Sequence, residues 1–195
     1  MPQMEPIILA SASPRRAELL HQIGIEFELA PSEIQEHHHP DEAPADYITR
    51  IARAKVIAVA RHRESGLVIG ADTVVVLDGR LIGKPESRAD AQDLLRQLSG
   101  RWHAVMTGVA LYDVETRHEV ADYDKTLVKF GQLTDREIEW YVNTGEPMDK
   151  AGAYGIQGLG GLFVDEIAGN YYNVVGLPIP LVYRLARRLG YSFVR

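Results

Sequence analysis

The stretch "LASASPRRAELL", residues 9–20, predicts a buried strand that turns directly into a helix. The apolar run 6–10 has the length and composition of a buried strand. Ser13 is a preferred N-cap residue, and Pro14 suits the first helical position. Gly24 then suits the end of the helix. This strand–turn–helix unit is the starting point for the fold.

The same turn carries side chains that suit phosphate binding. A helix N-terminus presents unpaired backbone N–H groups, which attract anions. Ser11 and Ser13 add hydroxyl donors, and Arg15 or Arg16 could bind a phosphate bidentately. The residues are equally consistent with a capped helix that carries a solvated arginine pair. The local sequence therefore leaves both interpretations open.

The rest of the chain alternates between strand and helix patterns. A polar loop is predicted over residues 31–46, and the final strand region precedes the last helix. Strands are predicted at 27–29, 103–112 and 119–130, and helices at 45–63, 88–98, 135–142 and 178–188. This interleaving predicts an α/β fold with a mixed sheet and flanking helices.

The stretch "GLVIGADTVVVLDGRLIGKP", residues 66–85, predicts a strand followed by a hairpin. We expect a break at 70–72, where glycine precedes Asp72. Asp78–Gly79 between two apolar runs is a strong signal for a two-residue turn. A hairpin folded there would pair Thr73 with Lys84. Asp72 and Lys84 would then arrive at the same open end.

Four charged residues form a candidate site. Lys55 lies on the apolar stripe of the helix predicted at 45–63, where it either extends to the rim or points into a polar site. Asp72, at the predicted strand end, either caps a turn or acts as a base or metal ligand. With Lys84, and with Glu36 in the polar loop, these residues would suit a magnesium–triphosphate substrate.

Bulk composition limits the class of protein. The 195 residues carry a net charge of −6 and no cysteine. A single domain over residues 1–195 is expected. The acidic balance disfavours nonspecific binding to nucleic acid, and the lack of cysteine fits the cytoplasm. The run Ile7–Ala10 is too short for a signal or membrane segment, so no membrane partner is expected.

Several common functional signatures are absent from the sequence. No G-x-G-x-x-G follows a strand, and "GRLIGKP" at 79–85 has one residue too few between its glycines for a phosphate-binding P-loop. Pro85 also stands where that loop needs Ser or Thr. The missing glycine motif and the incomplete P-loop disfavour Rossmann and P-loop enzymes.

The three adjacent histidines, His37–His39, cannot all face one metal ion, so a metal site there is also disfavoured.

The glycine-rich run 145–161 is a second candidate region. It is either simple turn material or a segment whose backbone approaches a ligand closely. Gln157 within it offers both a donor and an acceptor to the edge of a base.

These features together resemble the Maf family of nucleoside triphosphate pyrophosphatases. The resemblance covers residues 7–187 and rests on six stretches in order: "LASASPRRAELL", "GADTVV", "GKP", "LSGRWHAVMTGVAL", "DKAGAYGIQGLGG" and "YYNVVGLP". It implies a mixed α/β fold in two lobes around a deep cleft. It also implies cleavage of a nucleoside triphosphate to the monophosphate and pyrophosphate, with Mg²⁺ or Mn²⁺ as cofactor.

The resemblance also implies roles for individual residues. Asp72 would be the general base and, with Glu36, a metal ligand. The family's paired acidic loop residues read Gln35–Glu36 here, so Glu36 would carry the acidic role, with Glu33 as a further contributor. Lys55 and Lys84 match the family's two lysines and would take part in catalysis by stabilising charge on the phosphate chain. Arg15 and Arg16 would contact the triphosphate, and Thr73, Gln157 and Arg15 match positions associated with base selection. Ser11 and Ser13, from the strand-to-helix turn, complete the candidate substrate-binding set.

The versions "DKAGAYGIQG" and "NVVGLP" are similar to the branch that acts on dTTP and UTP, with 5-methyl-UTP and pseudo-UTP as further candidate substrates. Two alternatives remain open: the same reaction on 7-methyl-GTP or non-standard purine triphosphates, or a nucleotide-binding regulator of cell division. The resemblance further implies a homodimer.

Overall fold

The computed structural model describes residues 6–194, which divide into two compact units. The first unit contains the residues up to Asp72, Thr107–Asp124 and the residues from Gly176 onward. The second unit contains Thr73–Met106 and Lys125–Val175. Each unit is therefore assembled from segments that are distant in the sequence.

A mixed sheet runs through the fold, as the sequence predicts. Within the described residues it has seven strands: β1 (Ile7–Leu9), β2 (Glu28–Leu29), β3 (Leu67–Leu77), β4 (Arg80–Ile82), β5 (Trp102–Asp113), β6 (His118–Phe130) and β7 (Val164–Ala168). The strand order is β2-β1-β3-β5-β6-β7, with β4 paired to β3. β1 is parallel to β2 and β3, whereas the β3–β4 and β6–β7 pairs are antiparallel.

The helices confirm the predicted alternation of helix and strand. They are α1 (Pro14–Gln22), α2 (Pro44–Ala60), α3 (Arg88–Leu98), α4 (Asp135–Asn143), α5 (Tyr171–Val175) and α6 (Ile179–Arg188), with short 3₁₀ helices at Glu146–Asp149, Ala151–Ala153 and Leu159–Phe163. α5 was not predicted, because a helix this short gives no recognisable period in the sequence.

The predicted strand break at Gly70 is wrong, because β3 continues through it. A Cβ atom at Gly70 would lie 2.8 Å from a methyl carbon of Val56 and 2.9 Å from the carbonyl oxygen of Ala52, both on α2. The glycine therefore allows α2 to pack closely on the strand. As a result Asp72 lies inside β3 rather than at its end.

The hairpin has the predicted turn but a shorter second strand. Leu77 pairs with Arg80, and the last observed pair is Val75 with Ile82. β4 ends at Ile82, so the predicted pairing of Thr73 with Lys84 is not made. The carbonyl of Gly83 instead accepts a hydrogen bond from the N–H of Gly152. After β4 ends, the backbone at Gly83 therefore bonds to the loop at Gly152 instead of continuing to pair with β3.

The core of the second unit contains a buried histidine. His103 packs edge-on against Phe130, with ring centroids 5.1 Å apart, and its Nε2 lies 2.8 Å from the Tyr154 hydroxyl. Its Nδ1 has no hydrogen-bond partner among the described residues. Burial lowers the pKa of His103 from 6.5 to about 4. The imidazole is therefore neutral in the folded protein at physiological pH.

His103 should make the protein sensitive to mild acid. The unfolded chain binds a proton near pH 6.5, whereas the folded chain does so only near pH 4, so stability falls as pH drops through this window. Between about pH 7.5 and about pH 5, the free energy of unfolding should fall by about 2 kcal/mol more in the wild type than in His103→Gln. Denaturant titrations at both pH values measure this difference, and equal losses in the two proteins would contradict the assignment.

Candidate active site

Two carboxylates share one buried ammonium group in the first unit. Lys55 Nζ lies 2.8 Å from Asp72 Oδ1 and 2.7 Å from Glu36 Oε1. The same Nζ donates to the carbonyl oxygen of Ala71 at 3.3 Å. The side chains of Lys55 and Asp72 are buried, whereas that of Glu36 is 45% exposed. The cluster therefore has one buried carboxylate and one accessible carboxylate.

Local structure explains why these three residues meet. Lys55 lies on the inward stripe of α2, so its side chain points toward β3 rather than extending to the rim. Gly70 lets α2 approach β3, and Asp72 follows two residues later on that strand. Glu36 comes from residues 31–43 of the predicted polar loop, which form no helix or strand, whereas the last three residues of that prediction belong to α2. Of the two interpretations of Lys55, the one in which it points into a polar cluster is thus confirmed.

The strand-to-helix corner places Arg16 next to this cluster. Arg16 is buried; its Nε donates to the carbonyl of Gly176 at 2.8 Å, and its Nη1 donates to Ser11 Oγ at 3.1 Å. Gly176 belongs to the "NVVGLP" stretch, so that stretch orients the arginine. Of the two predicted arginines, Arg16 is therefore fixed in position, while Arg15 is half-buried.

Ser13 holds the predicted N-cap position of α1, but its side chain makes no capping hydrogen bond. Its backbone N–H instead donates to Ser11 Oγ at 3.1 Å. Ser11 therefore organises the turn, and the plain capping interpretation of the Ser13 side chain is wrong.

The electrostatics of the cluster suit a base. Burial raises the pKa of Asp72 above its ordinary value, although the Lys55 ammonium and the Arg16 guanidinium act in the opposite direction. Burial likewise lowers the pKa of Arg16, against the attraction of Asp72 and Glu36. A carboxyl with a raised pKa accepts a proton more readily, which is the property required of a general base.

Tyr47 is part of this environment and was missed by the sequence analysis. Burial, with the charges of Asp72 and Glu36, raises the pKa of Tyr47 to about 12. Its hydroxyl therefore stays protonated at physiological pH. The sequence pattern that could have identified Tyr47 is its spacing: Tyr47, Ile51 and Lys55 are four residues apart, so they lie on one face of α2.

An ion pair anchors the loop that carries Glu36. Arg50 Nε and Nη2 donate to the two carboxylate oxygens of Glu42 at 2.6 Å and 2.7 Å. Arg50 Nη2 also donates to the carbonyl oxygen of His37 at 2.8 Å. Arg50 and Lys55 both lie on α2. This helix therefore contacts the backbone next to Glu36, through Arg50 and His37, and the Glu36 carboxylate, through Lys55.

The other predicted site residues belong to the second unit. Thr73 follows Asp72 on β3 and is half-buried, whereas Lys84 and Gln157 are exposed. Gln157 lies in a turn of the glycine-rich segment. The triplet His37–His39 is exposed.

The donor set around Lys55 fits a magnesium-type ion. No group of three or more His, Cys, Asp or Glu side chains suited to a metal occurs among residues 6–194. Glu36 and Asp72 nevertheless provide two carboxylates beside the same nitrogen. Mg²⁺ is commonly held by one or two carboxylates together with water and substrate phosphates, so this pair meets its needs.

Among residues 6–194, every helix is too short or too polar to span a membrane.

Loosening the Arg50 anchor should free the Glu36 loop. In Arg50→Gln, amide hydrogen exchange over residues 37–42 should become about five times faster, because the bidentate pair and the His37 contact are lost. Hydrogen exchange followed by mass spectrometry measures this rate.

The matched control is Arg53→Gln on the same helix, since Arg53 pairs with Glu119 rather than with this loop. The control should leave exchange over residues 37–42 unchanged. If Arg50→Gln also exchanges at the wild-type rate, the loop is not held by Arg50.

Comparison with known proteins places the chain in a family. The family model described as Maf-like protein matches residues 6–189. A dTTP/UTP pyrophosphatase of Symbiobacterium thermophilum is 48% identical over 188 residues, which cover 96% of this chain and 96% of that protein. A dTTP/UTP pyrophosphatase of Geobacter sulfurreducens is 51% identical over 184 residues, covering 94% of this chain and 96% of that protein.

A solved structure of a HAM1 protein from Coxiella burnetii aligns with 79% of this chain and 89% of its own, at 16% identity and a TM-score of 0.49. The family model and the two relatives match this chain over nearly its full length. The chain therefore belongs to the Maf-like protein family.

Proposed function

We propose that this protein is a nucleoside triphosphate pyrophosphatase that hydrolyses dTTP and UTP to the monophosphate and pyrophosphate, a house-cleaning role. The observation that carries the proposal is that Asp72 and Glu36 both contact Lys55, while the buried Arg16 interacts electrostatically with both carboxylates. The relatives named dTTP/UTP pyrophosphatase support the substrate class, at 48% and 51% identity.

Asp72 is the general base in this proposal. It takes a proton from a water molecule whose oxygen forms a bond to the α-phosphorus. The bond from the α-phosphorus to the bridging oxygen breaks, and pyrophosphate leaves with its electron pair. The buried position of Asp72 and its raised pKa favour proton transfer, and Lys55 keeps its oxygen in place.

Cationic and hydroxyl side chains bind the triphosphate. Arg16 and Arg15 follow the N-terminus of α1, where backbone N–H groups add a partial positive charge. Ser11 and Ser13 supply hydroxyl donors, and Lys84 neutralises charge on the phosphate chain. These contacts stabilise charge that shifts onto the leaving pyrophosphate.

A divalent cation, Mg²⁺ or Mn²⁺, is the proposed cofactor, with Glu36 and Asp72 as its protein ligands. When bound, such an ion neutralises phosphate charge and polarises the reacting oxygen atoms. Glu36 is exposed enough to accept an ion that arrives with the substrate. Lys55 keeps the two carboxylates close together without the ion.

Base selection is assigned to Thr73, Gln157 and Arg15. Thr73 and Gln157 can both donate and accept, and Arg15 can only donate. Such groups distinguish uracil and thymine from cytosine, because the exchange of a carbonyl for an amino group reverses the hydrogen-bond pattern. 5-Methyl-UTP and pseudo-UTP keep the uracil-type edge and are included among the proposed substrates.

Other properties stay predictions. They are the organisation of residues 1–195 as a single domain, the homodimer, the cytoplasmic location and the lack of nucleic-acid and membrane partners. Sedimentation of the purified protein measures the oligomeric state, and a monomer at working concentration would remove the homodimer.

Replacing Asp72 tests the proposed mechanism. Asp72→Asn keeps the size of the side chain but cannot accept the proton, so kcat for dTTP and UTP should fall about 10²- to 10⁴-fold. Pyrophosphate release measures kcat, and thermal unfolding shows whether the variant is folded.

Asp113→Asn is the matched control, because Asp113 is also a buried carboxylate of the first unit. It accepts hydrogen bonds from the N–H of Glu115 and from the hydroxyl of Thr116, within a turn outside the site. The control should lose stability but retain kcat. Near-normal turnover of Asp72→Asn would remove Asp72 from the mechanism, and a wild type that binds dTTP without releasing pyrophosphate would favour the regulator.

Removal of divalent ions tests the cofactor. Pyrophosphate release in excess EDTA should fall by at least about 100-fold, since the phosphate charge is then opposed by side chains alone. Mg²⁺ or Mn²⁺ added in excess of the chelator should restore it. Undiminished turnover in EDTA would show that Glu36 and Asp72 act without an ion.

A further inference from the structure

One carboxylate of the second unit lies at the centre of the glycine-rich segment. Glu146 Oε1 accepts a hydrogen bond from the N–H of Gly160 at 3.0 Å, and Oε2 accepts one from the N–H of Leu159 at 3.0 Å. The hydroxyl of Tyr141 donates to Oε1 at 2.8 Å. The same hydroxyl accepts a hydrogen bond from the N–H of Gly155 at 3.1 Å.

These contacts lie on both sides of Gln157. Gly155, two residues before it, is tied to Tyr141, while Leu159 and Gly160, two and three residues after it, are tied to Glu146. Because Tyr141 and Glu146 also bind each other, the two ends of the turn are joined through side chains. We call Tyr141 and Glu146 together the turn clamp.

The glycines of this segment fit around the clamp. A Cβ atom at Gly158 would clash with Glu146 Oε2, and one at Gly160 would lie 2.5 Å from the Tyr141 hydroxyl. A Cβ atom at Gly155 would lie 2.7 Å from Cε of Lys150. The backbone therefore approaches protein side chains closely, which accounts for these glycines without a ligand.

The charge of Glu146 suits this role. Burial alone would raise the pKa of the Glu146 carboxyl, but the hydrogen bonds from Leu159, Gly160 and Tyr141 and the charge of Lys150 outweigh it and lower the pKa. The group is therefore ionised at physiological pH. An ionised carboxylate is the stronger acceptor for the backbone N–H groups of the turn.

We propose that Glu146, acting with Tyr141, is a positioning residue that holds the Gln157 turn in the conformation that reads the base. Gln157 is exposed, and its carboxamide gains selectivity only if its backbone holds it at hydrogen-bond distance from the base. The clamp supplies that support from buried Tyr141 on α4. This inference rests on the proposed function, because it assigns base reading to Gln157.

The first test measures the turn without any substrate. Glu146→Gln places an amide NH₂ near backbone N–H donors, and Tyr141→Phe deletes only the hydroxyl. In both variants, hydrogen exchange over residues 155–160 should become at least about 10-fold faster. Glu139→Gln is the matched control, since Glu139 is exposed on α4, the helix that carries Tyr141. Wild-type exchange in both clamp variants would overturn the inference, whatever the enzyme's activity.

The second test measures base selection. In Glu146→Gln, the ratio of kcat/KM for dTTP to that for dCTP should fall about 10-fold, while kcat for dTTP stays within about threefold of wild type. Gln157→Ala should lower the same ratio, and adding Glu146→Gln to it should lower the ratio no further. A uniform loss on both nucleotides, with the ratio unchanged, would show a merely structural role and overturn the inference.

The two proposals fail in different ways. A wild type that is active on dTTP and UTP, with an unchanged ratio in the clamp variants, leaves the proposed function in place and removes only the role of Glu146. A wild type that releases no pyrophosphate from either nucleotide contradicts the proposed function, and the exchange measurement still decides whether Glu146 holds the turn.

Discussion

The candidate site depends on one buried ammonium group between two carboxylates. Without Lys55, Asp72 and Glu36 would repel each other, and the buried Asp72 would lack its nearest compensating charge. Lys55 therefore permits a carboxylate to be buried and places a second one beside it. Arg16 adds positive charge to the same environment, so the proposed function assigns metal, water and phosphate to one cluster.

Close backbone packing makes this arrangement possible. Gly70 removes the side chain that would keep α2 away from β3, and the Lys55–Asp72 contact forms next to that approach. In the second unit, Gly158 and Gly160 let the backbone wrap around Glu146 and Tyr141. In both units, glycines lie where the backbone approaches the residues of a proposed functional segment closely.

Much of the fold could be predicted from local patterns. The apolar stripe of α2 correctly placed Lys55 on the inner face, and the Ser-Pro step located the start of α1. Three expectations failed. Gly70 was expected to break the strand, but it allows α2 to pack on β3. The Ser13 side chain makes no capping hydrogen bond, and the Ser13 N–H donates to Ser11 Oγ instead. Lys84 lies beyond the end of β4 and is therefore not paired with Thr73.

The supporting residues were harder to find in the sequence. Arg50 and Glu42 are ordinary surface charges until the loop folds back on α2, and Glu146 meets partners that are up to 14 residues away. Such contacts depend on turns whose geometry the local sequence does not determine.

The most direct measurement of the central claim is a comparison of nucleotides by pyrophosphate release from the wild-type protein with Mg²⁺. The account predicts that kcat/KM for dTTP and UTP exceeds that for 7-methyl-GTP and for deaminated purine triphosphates by at least about 10-fold. A preference for either purine class would contradict it.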